Sequence, residues 1–159
     1  MLNLKIWIDA DSCPAILRDF LVGEAKSNNC TVVLVANRLI MEENENVKMV
    51  VCEKKKDEAD NIIHDQADKN DIVVTRDLLF AKRLVDKGIT VFNDRGIKFT
   101  SDNIEDRLME RNLSMNLSEI GFGGNKKNQY SQKELKKFST EFKSELQKHI
   151  VAEMYSRRK

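Results

Sequence analysis

Long hydrophobic runs are missing from these 159 residues. The apolar stretches fall far short of the roughly 20 residues that cross a bilayer, so no membrane-spanning helix and no membrane partner is expected. The N-terminus lacks a basic segment ahead of an apolar one, so no secretory signal is read. Cysteine is scarce: Cys13, Cys30 and Cys52 are an odd set without Cys-x-x-Cys spacing. They read as reduced thiols of a cytoplasmic protein, not as a disulfide framework. Two histidines, His64 and His149, leave little material for a zinc centre.

What is present suffices for one ordinary domain. At 41% hydrophobic residues, a chain of this length buries a core without disulfides or structural zinc. The net charge of +1 hides an uneven split. Residues 1–124 carry 17 Lys/Arg and 22 Asp/Glu, a net of −5, whereas residues 125–159 carry 10 and 4, a net of +6. An acidic body with a basic tail suits a metal centre beside a binder of phosphate. A solvated helix face accounts for the basic tail equally well.

Short β-branched runs alternate with amphipathic stretches. The runs are Leu4–Ile8, Thr31–Val35, Val47–Val51, Ile72–Thr75 and Thr90–Phe92, each of the length and composition of a buried parallel strand. Helical patterns follow Pro14, span Asp57–Lys69, and span Asp77–Lys87 ahead of a left-handed cap at Gly88. Only the polar segment 37–46 separates the second and third runs. The rhythm predicts an α/β fold with a mostly parallel sheet of four or five strands and helices on both faces. Ser101 or Asp102 is expected to cap a helix reaching about Leu117, closing an α/β domain over residues 1–117. Residues 118–159 comprise a Gly-rich segment and a final helix capped by Ser131 and Glu134, packing on the same domain. Leu135, Phe138, Phe142, Leu146, Ile150 and Met154 are expected to form one apolar stripe. Core packing is its primary reading and a homodimer face the competing one.

Carboxylates recur where strands end. Asp9 and Asp11 follow the first run, Asp77 the fourth and Asp94 the fifth, with Asp60 one turn into a helix. Asp57 and Asp77 also make good N-caps, and Asp94 suits turn chemistry. Caps alone do not require acids after so many strands. In open α/β sheets ligands gather beyond the carboxyl ends of the strands. An acidic pocket there is expected to hold Mg²⁺ or Mn²⁺, hard cations that prefer oxygen ligands.

The order of strand–Asp9, Asp60 at an Ala-Asp helix start and Thr75-x-Asp77 resembles the PIN-domain nucleases. More closely, Ile8-Asp9-Ala10-Asp11-Ser12-Cys13-Pro14, Val35-Ala36-Asn37, Asp57-Glu58-Ala59-Asp60, Val73-Val74-Thr75-Arg76-Asp77 and Asn93-Asp94-Arg95-Gly96 together resemble the bacterial YaiI/YqxD family. Phe99-Thr100 and the Gly-rich segment continue the likeness over about residues 4–146. That family is regarded as PIN-like, and its biochemical role is not established. The resemblance implies a three-layer PIN-like domain with Asp9, Asp60 and Asp77 as catalytic metal ligands. Asp11 and Asp94 are then further ligands or acids behind them. PIN nucleases usually carry Glu at the first helical acid, whereas the candidates here are Asp57, Glu58 and Asp60.

Three functions compete. The leading one is a Mg²⁺- or Mn²⁺-dependent nuclease acting on RNA rather than DNA. Arg76, Arg95, Lys126 and Lys127 would then meet substrate phosphates and Asn37 would orient the substrate; loop hydrogen bonding accounts equally well for Asn37, and mobility for the Gly-rich segment. The second is a phosphatase of the haloacid dehalogenase type with Asp9 as nucleophile; Cys13 stands where those enzymes carry Thr or Val, and no cap domain is present. The third is a non-catalytic RNA binder. Arg76 and Arg95 also read as charge balance within the acidic cluster. Cys13, near a helix N-terminus that lowers thiol pKa, reads first as packing under the loop; a nucleophile is the minor reading, since no His lies nearby in sequence.

Overall fold

The structure, a computed structural model, describes residues 1–119 and 129–157. Among these residues the chain order is β1 (Lys5–Asp9), α1 (Ala15–Ser27), β2 (Thr31–Ala36), β3 (Val47–Val51), α2 (Glu58–Gln66), β4 (Ile72–Val74), α3 (Leu78–Asp86), β5 (Thr90–Phe92), β6 (Lys98–Phe99), α4 (Ile104–Glu119) and α5 (Gln132–Arg157). Each expected run becomes a strand. They assemble in the order β3-β2-β1-β4-β5-β6. β1 to β5 pair in parallel, and β6 pairs antiparallel with β5. The sixth strand lies beyond the expected four or five because two residues carry no readable period. A turn creates it: Asn93 Oδ1 accepts the N–H groups of Arg95 and Ile97, each at 2.9 Å, and Gly96 adopts φ +84°. A Cβ at Gly96 would fall 2.9 Å from the Lys137 carbonyl oxygen and the Phe138 Cα, so this position needs glycine on both counts.

Strand side chains alternate between two cores, as the period of two requires. Ile6, Ile8, Val32, Leu34, Ile72, Val74 and Phe92 pack under α1 and α5. Trp7, Val33, Val35, Val73 and Val91 pack under α2, α3 and α4. The result is three layers, with the central strands buried on both faces and the edge strand β3 partly exposed. Trp7 is core, as expected, and its indole N–H donates to Asp71 Oδ2 at 2.9 Å. That same carboxylate also accepts the N–H groups of Lys5 and Asp68, so the buried Trp7 indole and the Asp71 carboxylate are both satisfied.

Three local expectations are corrected. Asp57 precedes α2 at φ +63° with no side-chain cap bond, so it is not a working N-cap. α4 is started by Thr100 and Asn103, whose side chains bond each other's N–H groups at 3.2 and 2.9 Å, rather than by Ser101 or Asp102. On α5, Phe138, Phe142 and Leu146 are fully buried and Leu135 and Ile150 pack against them, but Met154 is 50% exposed. Steps of four residues drift about 40° around a helix of 3.6 residues per turn. Four such steps carry Met154 most of the way to the opposite side from Phe138. Glu145, His149 and Glu153 share the buried face instead. Glu153 accepts the N–H groups of Asn3 and Leu4 at 2.8 and 2.6 Å. His149 contacts Asn70, Thr90 and Glu145. α5 thereby ties down the edge at which β1, β4 and β5 begin, leaving the opposite edge for the site. Among the described residues no helix is long and apolar enough to cross a membrane.

Candidate active site

The strand order reverses between β1 and β4, which makes a crevice beyond their carboxyl ends. Asp9 ends β1, and Thr75-Arg76-Asp77 leaves β4 for α3. Asp77 is held on two sides. Its Oδ1 accepts the N–H groups of Leu79 and Phe80 at 3.0 and 3.2 Å, and its own N–H donates to Thr75 Oγ1 at 3.1 Å. Asp77 is thus the N-cap expected of it. One carboxylate oxygen is committed to the cap, and the other makes no hydrogen bond among the described residues. Asp60, buried in the first turn of α2, reaches the same cleft.

Burial, then the charges of Asp77, Asp9 and Asp57, push the Asp60 carboxyl up to about 6, against the opposing pull of Arg83. Asp9 is raised by burial, then by Asp11 and Asp77, while a hydrogen bond from Ser12 opposes the rise. The three acids therefore feel one another across the reversal of strand order. Asp60 and Asp77 line one cleft of about 600 Å³ with Arg76, Arg83 and Arg111. Asp9 instead lines a narrow crevice with Cys13, Thr75, Arg76 and Asp94. Among the described residues no three Asp, Glu, His or Cys side chains stand close enough to enclose a metal ion. The all-oxygen donor set nevertheless suits a hard cation such as Mg²⁺, which keeps several waters and takes only one or two protein carboxylates.

The remaining candidates are less open. Asp94 is buried, and its Oδ2 receives Arg76 Nε at 2.5 Å. Arg76 is thus the charge partner of Asp94. Asp11 accepts the backbone N–H of Asn37 at 2.9 Å, so Asn37 meets the acids through its main chain. Arg95 lies 3.8 Å from Glu134. Lys126 and Lys127 fall outside the described residues. Cys13 packs against the core, as expected; only the lowering of its pKa is corrected, since burial first, then the charge of Asp94, push its thiol up to about 12. It stays protonated at neutral pH and is not an activated nucleophile.

Sequence reading missed Arg83, Arg107 and Arg111. A second groove of about 540 Å³ adjoins the acid cleft, sharing Arg76, Leu78 and Arg111, and adds Asp94, Arg95 and Arg107. The spacing of Arg107 and Arg111 was a legible signal, because residues four apart share a helix face. Which face that is depends on α4 packing against α3.

A family model described as "Uncharacterized BCR, YaiI/YqxD family" matches residues 7–148. The chain belongs to the YaiI/YqxD family. It is 40% identical over 147 residues to a UPF0178 protein of Treponema denticola, covering 92% of this chain and 94% of that one. It is 38% identical over 146 residues to a UPF0178 protein of Psychromonas ingrahamii, covering 91% and 97%. A UPF0178 protein of Syntrophobacter fumaroxidans is 35% identical over 148 residues, covering 92% and 97%. No solved structure matches the chain. The YaiI/YqxD match runs from β1 into α5, so it contains the acid cleft and the arginine groove alike.

The unbalanced acids of this YaiI/YqxD protein carry a pH signature. Asp60 holds its proton up to about 6 in the fold, against 3.8 for a free aspartate. The folded state therefore binds more protons than the unfolded chain between those values, and stability rises as pH falls from 7 towards 5. Allowing for solvent screening, the expected gain is about 1 kcal/mol. Asp60→Asn should flatten that rise and be the more stable protein at pH 7. Urea unfolding of both proteins at the two pH values measures it, and equal slopes would refute the assignment.

Proposed function

We propose that this protein is a PIN-like, metal-dependent nuclease of the cytoplasm acting on RNA. The observation that carries the reading is the placement of Asp9 at the end of β1 and of Asp60 and Asp77 in one cleft where strand order reverses, beside a groove lined by arginines. Mutually repelling acids need a cation or a proton to relieve them. Asp60 and the free oxygen of Asp77 would hold Mg²⁺ or Mn²⁺ in their shared cleft, with Asp9 and Asp11 reaching it through its waters. The chemistry supplied by the bound cation is activation of water and neutralisation of the leaving oxygen of a phosphodiester. The N-cap bonds of Asp77 fix its carboxylate against α3, so one ligand is preorganised. The Asp94 carboxylate holds the Arg76 side chain at the wall between cleft and groove. Arg76, Arg95, Asn37, Lys126 and Lys127 would orient the strand through its phosphates.

The test is a purified-protein assay on end-labelled single-stranded RNA with millimolar Mn²⁺. Cleavage leaving 5′ phosphates is expected. Mn²⁺ should also raise the melting temperature, since a ligand at a hundred times its Kd adds about 2.7 kcal/mol. Asp9→Asn should diminish that increase. Intact RNA together with turnover of phosphomonoesters and a phosphoryl group trapped on Asp9 would establish the haloacid-dehalogenase chemistry instead. RNA retained but uncut across a metal screen would establish the passive binder.

A further inference from the structure

Arg107 and Arg111 stand one turn apart on α4, about 6 Å along its axis. Both are half-buried and line the groove beside the acid cleft with Arg76 and Arg95. Asn93 and Ser114 add polar groups to the same wall. The acids of the groove are Asp94 and Glu110. Asp94 is already matched by Arg76, and Arg95 lies near Glu134. Arg107 and Arg111 form no ion pair among the described residues. Guanidinium groups gathered in one groove repel one another unless an anion joins them. Their planar forks suit phosphate oxygens, which they can bind bidentately.

We infer that this groove seats a backbone phosphate of a single-stranded nucleic acid, with Arg107 and Arg111 as its principal ligands. The phosphate is a neighbour of the phosphodiester presented to Asp60 and Asp77. The cleft and the groove share Arg76, Leu78 and Arg111 as a common wall, so one strand runs from one into the other. The inference rests on the proposed function in taking the ligand to be a nucleic acid strand. The turn at Asn93–Gly96 supports the groove from below: it is bound to its own Asn93 side chain and pressed against α5 at Phe138. Arg95 is therefore presented by a rigid loop.

The experiment measures equilibrium binding of a fluorescent single-stranded RNA in EDTA, where no metal-dependent cleavage occurs. Arg107→Gln combined with Arg111→Gln should weaken binding about tenfold or more, the scale of losing hydrogen bonds to a charged group. The slope of log affinity against log salt should shrink by about 0.7–1.4, one or two phosphates' worth for a single strand. The Arg107→Lys, Arg111→Lys pair should recover the slope but only part of the affinity, because the charge returns without the fork. A methylphosphonate strand of the same sequence should bind wild type weakly and be indifferent to all these changes. Melting temperatures of the variants, expected near wild type, control for folding. Unchanged affinity and slope in the glutamine pair, or tight binding of the neutral strand, would overturn the inference. If RNA is cleaved while the glutamine pair binds like wild type, the groove assignment falls and the nuclease reading stands. If binding drops as expected while wild type cleaves nothing with Mn²⁺, the groove stands and the nuclease reading falls.

Discussion

Asp77→Asn is expected to lower Mn²⁺-dependent RNA cleavage on the order of 10³-fold, the scale on which loss of one electrostatic element of an active site acts. The substitution is informative because Asp77 has two tasks. Its Oδ1 caps α3 through Leu79 and Phe80, and asparagine caps about as well as aspartate. The fold should therefore persist, with a melting temperature within a few degrees of wild type, while the charge is lost. The Asp60 carboxyl should titrate lower in the same variant, since Asp77 is the largest charge raising it. Asp77→Ala removes cap and charge together and should lose stability as well, by about 1 kcal/mol. Cleavage rates and thermal melts on the two variants separate the roles. Full activity in Asp77→Asn would remove Asp77 from the chemistry.

Phe138→Ala should cost about 3–5 kcal/mol, the penalty for emptying a fully buried aromatic site. That is a large part of the roughly 5–15 kcal/mol by which a domain of this kind is stable. Phe138 is fully buried. It stacks on Phe142 at 5.1 Å between centroids and meets Phe20 and Phe92 edge-on at 6.1 and 6.2 Å. The effect should also reach the site. Phe92 ends β5 and leads directly into Asn93, Asp94 and Arg95, and Gly96 rests against the Phe138 backbone. Loosening that contact should weaken RNA binding as well as stability. Urea unfolding gives the first quantity and RNA titration the second. A loss below about 1.5 kcal/mol would mean that α5 is not a structural part of this core.

Much of the architecture is local and was therefore legible. Five β-branched runs became five strands because strands packed between two helical layers are apolar at most positions, with Lys48 exposed on the edge strand β3. The Ser131–Glu134 box, the Asp77 cap and the positive φ at Gly88 are contacts within a few residues, which sequence spacing encodes. The acids could be placed at strand ends for the same reason. Less legible was what each acid touches. Charge balance within the acidic cluster is a legible role for Arg76, but no local pattern picks Asp94 as its partner. Nothing near Cys13 says that burial outweighs the helix terminus.

By itself, then, the sequence determined the five parallel strands (though not β6), most helix limits and the carboxylates at the strand mouths, because periodicity and capping act over one or two turns. Only the tertiary structure decided which carboxylates share a field. Placing β4 beside β1 sets Asp77 within reach of Asp9 and Asp60. Only packing of α4 on α3 turned Arg107 and Arg111 towards Arg76. Only the seat of α5 across the strand starts buried Glu153 against Asn3 and Leu4, whereas helix periodicity alone already turns Met154 away from Phe138. In each case the deciding partner is distant in sequence, and electrostatic or packing energy depends on distance in space, which no local pattern carries.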